Sequence, residues 1–235
     1  MEHTITPVAY YRGDFPDKFG IPRQAGIVPS LEGLVVFEPA FRDAVALRGL
    51  EGFGRIWLIW QFSENLREGY RHTVRPPRLG GNTRLGVFAT RSSFRPNALG
   101  LSCVELAGIE ERPGLGTVLR VRGADLMDGT PIFDIKPYLP YADAWPEARA
   151  GFAPDAGRKL RVELPPELEA RLPSDKRESL REVLARDPRP QYQADAQRVY
   201  AMDFAGFEIR FTVDGETLQV TELRPASERE RGEEA

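Results

Sequence analysis

The chain is 235 residues long, 41% hydrophobic and 29% charged, with a formal net charge of −3. That balance excludes a disordered chain, which would carry fewer aliphatic residues and a larger net charge, and it leaves room for one large or two modest domains. The single cysteine, Cys103, excludes an intrachain disulfide framework and a cysteine-cluster metal site.

The first residues, MEHTITPVAYYRGDFPDKFG, hold no basic segment followed by an apolar one, and the longest strongly apolar run, Ile56–Trp60, is too short to span a bilayer. The expectation is a cytoplasmic protein with no membrane attachment. GIPRQAG then places Pro22, Arg23 and Gln24 in a rigid loop. Strands are predicted at Leu34–Phe37 and Arg55–Phe62, with a helix around Ala40–Leu47 between them. From Arg67 to Arg95 the chain carries seven arginines against one acid, Glu68, a local basic excess suited to planar contacts with phosphate or carboxylate, or to a solvated face. Further strands are predicted at Leu85–Thr90, Leu101–Leu106, Thr117–Val121 and Ile132–Ile135, separated by turns such as PPRLGGN and RPGLG.

Crossover helices, which a parallel sheet needs, are missing from this stretch, so the first two-thirds read as a mainly β, antiparallel β-barrel or sandwich. After YADAWPEARAGFAPDAGRKL the texture changes. A helix is predicted over Ser174–Arg186 with Ser174 as its N-cap and Leu180, Val183 and Leu184 on one face. Strands Glu208–Val213 and Thr217–Leu223 follow, joined across Asp214-Gly215. The expected organisation is a cofactor-binding β domain over residues 1–150 and a smaller α+β domain over 151–235, with a frayed tail from Ser227.

Absences narrow the chemistry. With only His3 and His72, a Ser-His-Asp triad or a histidine metal site is disfavoured, and no metal is expected. GLGTVL at Gly114 lacks the third glycine of a dinucleotide fingerprint, and DLMDG at Asp125 lacks the alternating ligands of a calcium loop. What remains is a set of compact loops. In GVFATRSSFRPNALGLS, Gly86 and Gly100 let backbone approach a ligand, Pro96 fixes φ, and Arg91 and Arg95 bracket Asn97, whose amide suits a base edge or a rigid turn. In DGTPIFDIKPYLPYAD, Asp134 and Lys136 share one strand face, ready for catalysis or for pairing with each other.

Taken together, KFGIPRQAG, VRPPRLGGNTRLGVFATRSSFRPNALGLS, DLMDGTPIFDIKPYLPYAD and DPRPQY resemble the TsaA-like, YaeB/TrmO family of S-adenosylmethionine-dependent methyltransferases, which are built on a β-barrel and modify tRNA. The resemblance implies methyl transfer to the exocyclic nitrogen of a threonylcarbamoyladenosine next to the anticodon, on its 3′ side, in threonine tRNA. It also implies a homodimer with the cofactor near the subunit interface. Carried over, Pro22, Arg23 and Gln24 contact S-adenosylmethionine, Arg91 and Leu101 line its pocket, and the turn of Leu126, Met127, Asp128, Gly129 and Thr130 closes around it. Where a histidine is expected after Phe62, this chain has Ser63-Glu64, whose backbone can still serve the cofactor. Asp134 is the candidate proton acceptor or orienter, accompanied by Lys136 and Asn97. Arg95, Tyr138, Tyr141, Tyr192 and, in the second domain, Arg189 are the candidate tRNA contacts. A non-catalytic module binding the cofactor or RNA, and methylation of another acceptor, stay open at this point.

Overall fold

The computed structural model describes residues 3–64, 69–189 and 195–228. In chain order the elements are β1 (Ala9–Arg12), β2 (Glu32–Phe37), β3 (Arg55–Gln61), β4 (Thr73–Val74), β5 (Leu85–Gly86), β6 (Leu99–Arg112), β7 (Gly116–Arg122), β8 (Pro131–Pro137), α1 (Pro140–Asp143), β9 (Arg161–Glu163), α2 (Pro166–Glu169), α3 (Ser174–Ala185), β10 (Tyr200–Phe204), β11 (Phe207–Asp214) and β12 (Thr217–Pro225).

Strands β1, β2, β7, β6, β3 and β8 pair in that order, and β8 pairs again with β1, so the sheet closes on itself. Every pairing in this ring is antiparallel. Side-chain alternation sets which face is inside. In β3, Ile56, Leu58 and Trp60 are buried, while Trp57 and Ile59 take the outer face. Val35, Phe37, Val104, Leu119, Val121 and Ile132 complete the interior from the neighbouring strands. β6 serves two neighbours: it pairs with β3 over Leu99–Glu105 and with β7 from Glu105 onward, and its register shifts between Leu106 and Gly108. Such a bulge bends a strand and helps the sheet to close.

Two predicted elements differ. Leu85–Thr90 is extended only over Leu85–Gly86, then tightens into a 3-10 turn at Val87–Ala89. The Thr90 hydroxyl donates back to the Val87 carbonyl at 2.8 Å, which competes with a continued ladder. The helix predicted at Ala40–Leu47 is instead a pair of 3-10 turns, Pro39–Phe41 and Ala44–Leu47. Between them the Asp43 carboxylate accepts the Val45 N–H at 2.9 Å and restarts the chain, and neither turn buries a residue that would stabilise a longer helix.

The remaining elements surround a second apolar cluster. α3 buries Leu180, Val183 and Leu184 against Met202, Phe204, Ile209, Phe211 and Val220 of the sheet β10-β11-β12-β9, whose β12–β9 pair is parallel. The helix starts at Ser174 after Pro173 and has no side-chain cap, where Ser174 was the expected cap. The β11–β12 hairpin closes on the pair Asp214↔Thr217 with Gly215 at φ 56°. Phe15, Val28 and Leu31, from the connection between β1 and β2, belong to this second cluster. The same connection is tied to α3 by polar bonds: Lys176 to Asp14 at 2.7 Å, Ser30 to Glu182 at 2.6 Å and Ser179 to the Ser30 carbonyl at 2.8 Å.

Candidate active site

At one end of the ring, reaching along the outer face of β3 and β6, lies a cavity of about 640 Å³, within the range usual for small-molecule sites. Its apolar wall comes from β3 and β6: Trp57, Ile59, Trp60, Phe62, Leu99 and Leu101. Trp60 and Phe62 meet edge to face with ring centroids 4.3 Å apart. The polar wall comes from loops: Lys18, Pro22, Arg23 and Gln24 before β2, Ser63 and Glu64 after β3, Thr90, Arg91, Ser93 and Arg95 before β6, and Asp125, Met127 and Thr130 before β8.

The loop from Gly86 to Ser102 owes its shape to Arg95. Its guanidinium donates to the carbonyls of Thr90 at 2.7 Å and Val87 at 3.2 Å and sits 5.6 Å from the Phe88 ring. The Arg95 carbonyl accepts the Ala98 N–H at 3.1 Å, closing a tight turn through Pro96 and Asn97. Ala98 holds φ 48°, a left-handed conformation that costs a non-glycine residue roughly 1–2 kcal/mol. Burial of Ala98 and a hydrogen bond from Phe62 N to its carbonyl at 2.9 Å hold it there, next to the cavity. Arg91 remains exposed and donates to the Gln24 side chain, whose amide in turn donates to the Arg23 carbonyl.

The turn before β8 is stitched to β1. Gly129 N donates to the Tyr11 carbonyl at 2.8 Å, Asp128 accepts from Gly13 N at 3.1 Å, and the Thr130 hydroxyl donates to the Met127 carbonyl at 2.7 Å. Met127 and Thr130 face the cavity. Leu126 is buried in the ring's core, and Asp128 and Gly129 join the turn to β1 and are not among the lining residues.

Asp125 is a lining residue that motif reading passed over. It is half-buried, and its Oδ1 accepts the Ser102 hydroxyl at 2.5 Å, while Ser102 accepts the Trp60 indole N–H at 2.9 Å. Burial raises the Asp125 carboxyl above its ordinary range. The Ser102 bond, backbone N–H groups including that of Ala25, and the charge of Arg91 act in the opposite direction. The available signal was the inward parity of Ser102 on a strand whose neighbours alternate; a buried hydroxyl there needs a partner.

The candidate catalytic groups lie beside the cavity. Asp134 and Lys136 are on the outer face of the ring, opposite Ile59 and Trp57 respectively, and pair with each other at 3.0 Å. Neither lines the cavity, but both of their cross-strand partners do. Asn97 is exposed at the tip of the Arg95 turn. Tyr138 contacts the Trp57 ring at 5.9 Å, and Tyr141 is 84% exposed nearby in α1. Arg189 is 14% exposed, donates to both Asp187 carboxylate oxygens at 2.8 and 3.0 Å, and offers its carbonyl to Arg23 at 3.5 Å. Tyr192 lies outside the described residues.

Residues 10–144 match the sequence profile of the tRNA-methyltransferase O N-terminal domain, and residues 157–226 match that of the TrmO C-terminal domain. The chain belongs to the TrmO family. Among its relatives, the tRNA (adenine(37)-N6)-methyltransferase of Escherichia coli (strain K12) is 40% identical over 227 residues, 93% of this chain and 96% of the relative. A protein of the same name from Eikenella corrodens is 47% identical over 163 residues, 69% of this chain and 92% of the relative. The crystal structure of TrmO from Pseudomonas aeruginosa superimposes with a TM-score of 0.78 at 34% identity, covering 95% of this chain and 99% of that one.

Proposed function

We propose that this TrmO-family protein transfers a methyl group from S-adenosylmethionine to the exocyclic N6 of threonylcarbamoyladenosine, on the 3′ side of the anticodon in threonine tRNA. The observation that carries the reading is the cavity at the ring's end. It gathers Arg23 and Gln24, Ser63 and Glu64, Arg91 and Leu101, and Met127 and Thr130 from four separate segments around one space of about 640 Å³. Its composition fits the donor: aromatic and aliphatic side chains for the nucleoside, and charges of both signs for the amino-acid end. Family membership and the relatives' names support the reaction class.

S-adenosylmethionine supplies an electrophilic methyl on a sulfonium. The task left to the chain is to align a poor nucleophile, an amino nitrogen conjugated to adenine, and to exclude water from the pair. Trp57, Trp60 and Leu101 form a desolvating wall. Asp134, beside Ile59 at the rim, is the proposed acceptor of the departing proton, with Lys136 holding its carboxylate and Asn97 orienting the acceptor base. The anticodon loop is single-stranded, so its bases are free to stack on Tyr138 and Tyr141 without opening a duplex. The reading includes a barrel-shaped catalytic domain over residues 1–150, a tRNA-contacting domain over 151–235, a homodimer and a cytoplasmic location.

The test is incubation of purified protein with methyl-labelled S-adenosylmethionine and tRNA from cells that make or lack the threonylcarbamoyl group. Label is expected only in the first tRNA. Transfer to both would refute dependence on the prior modification, and binding without transfer would make the protein a non-catalytic module.

A further inference from the structure

We propose that the Phe88 ring is a stacking platform for a second unpaired base of the RNA, a neighbour of the methyl acceptor, and that Arg75 and Arg84 take the backbone phosphates beside it; this rests on the RNA substrate assigned above. Phe88 is 69% exposed, and a cation rather than a core holds it in place. The Arg95 guanidinium lies 5.6 Å from the ring and is itself fixed by the carbonyls of Thr90 at 2.7 Å and Val87 at 3.2 Å. Arg95 also lines the cavity, so the ring stands at the cavity's rim. An aromatic ring that is rigidly backed yet open to solvent suits a nucleobase, because every base has a π face to lay on it.

The charge around the ring selects the partner. From Gly69 to Val104 the chain holds six arginines and no acid. Asp155 reaches in from a distant loop to pair with Arg78, and Arg71 lies 4.0 Å over the Phe94 ring. Arg75 and Arg84 are differently placed. Val74 pairs with Leu85 in the β4–β5 hairpin, so the two arginines are the next residues on either side of that ladder, and both are exposed. Like charges facing each other across a hairpin repel, and a phosphate beside them turns that cost into attraction. The hairpin runs directly into the platform: Val87 N donates to the His72 carbonyl at 3.0 Å, one residue before the ring. Between Arg84 and Phe88, Gly86 is exposed, and a Cβ on it would meet nothing within 4 Å. Cations and ring thus sit at the two ends of one short open stretch of chain that ends at the cavity. An unpaired RNA strand uses both at once, a base for the ring and phosphates for the guanidinium groups.

The test measures binding of tRNA from cells that make the threonylcarbamoyl group, by fluorescence anisotropy, to the full-length protein, to Phe88→Leu and to Phe88→Trp. The donor probe S-adenosylhomocysteine is titrated by calorimetry in parallel. Phe88→Leu keeps an apolar side chain and removes the π face. It is expected to weaken tRNA about tenfold and the donor probe less than about twofold, with the salt slope of tRNA binding unchanged because stacking releases no counterions. Phe88→Trp is expected to bind tRNA at least as tightly as the parent. In Arg75→Ala and Arg84→Ala the slope is expected to fall by about one, and an unchanged slope in both would remove the phosphate contacts. Undiminished tRNA affinity in Phe88→Leu would overturn the platform, as would equal weakening of the donor probe, which would make the ring part of the donor site. A fall in the sedimenting mass of Phe88→Leu would assign the ring to a contact between two copies of the chain instead, and a lowered thermal midpoint alongside the lost affinity would make it structural. Absence of tRNA binding by the unsubstituted protein would remove the RNA substrate itself, a result distinct from tight binding that ignores Phe88.

Discussion

Gly100 leaves the space that the Trp60 indole fills: the two are cross-strand partners, and a Cβ on residue 100 would stand 2.3 Å from Trp60 Cε2. Trp60 forms part of the cavity wall and donates to Ser102, so its position sets both the pocket's shape and the direction of the Asp125 carboxylate. Gly100→Ala is expected to displace the indole and to lower stability by about 1–3 kcal/mol, the usual cost of overpacking. It is also expected to weaken donor affinity. Chemical denaturation and probe titration check the two effects, and a variant with unchanged stability and affinity would contradict this role for Gly100.

Much of this was legible locally. β3 shows itself as a short apolar run, Ile56–Trp60, of aliphatic and aromatic residues, β7 through Thr117, Val118 and Val121, and α3 through Leu180, Val183 and Leu184 on one face. The loops that line the cavity were legible as rigid polar turns. What was hidden depends on distant chain. β1 is only four residues long, and its Tyr11 is buried because Gly13 and Gly33 leave room for the ring. Gly100 reads in sequence as a place for a ligand to approach, yet the group it admits is Trp60. Asp125 reads as part of a turn, and only the approach of Ser102 from β6 makes it a half-buried carboxylate.

Asp125 has a consequence for stability against pH. Because its folded-state carboxyl is raised by burial, the folded chain keeps that proton to higher pH than the unfolded chain does. Stability is therefore lost as pH rises from the unfolded value near 3.8 through the raised folded one, and at neutral pH the buried charge is destabilising. The charge of Arg91 relieves this burden, and Asp125 in turn helps to push up the phenol of the buried Tyr11. Asp125→Asn keeps an acceptor for Ser102 and removes the charge. Its thermal midpoint at pH 7 is expected to exceed that of the parent, with the gain vanishing below the unfolded value. A lower midpoint at pH 7 would contradict this.

The Asp14–Lys176 pair fastens the β1–β2 connection to α3, with side chains only 11% and 23% exposed. Burial raises the Asp14 carboxyl, opposed by its hydrogen bond to Lys176. Lys176→Met leaves that carboxylate unpaired and is expected to cost about 3 kcal/mol in denaturant unfolding, much of it recovered by adding Asp14→Leu. A single-variant cost below about 1 kcal/mol would show that water already screens the pair.

The arginines of the middle segment differ in availability. Arg75 is exposed, and exposed Arg84 donates to the Thr73 hydroxyl at 3.1 Å. Each is expected to meet RNA phosphate, so replacing either with alanine should lower the salt slope of tRNA binding by about one. Arg189, clamped by Asp187, is expected to leave that slope unchanged and to reduce stability instead. A reduced slope for Arg189→Ala in a well-folded variant would reverse this assignment.

The central claim, that the ring's end is the donor site, is tested most directly by soaking crystals with S-adenosylhomocysteine. Density is expected in the cavity bounded by Trp60, Leu101, Arg91 and Asp125. A clear cavity, with the molecule bound elsewhere or not at all, would contradict the account.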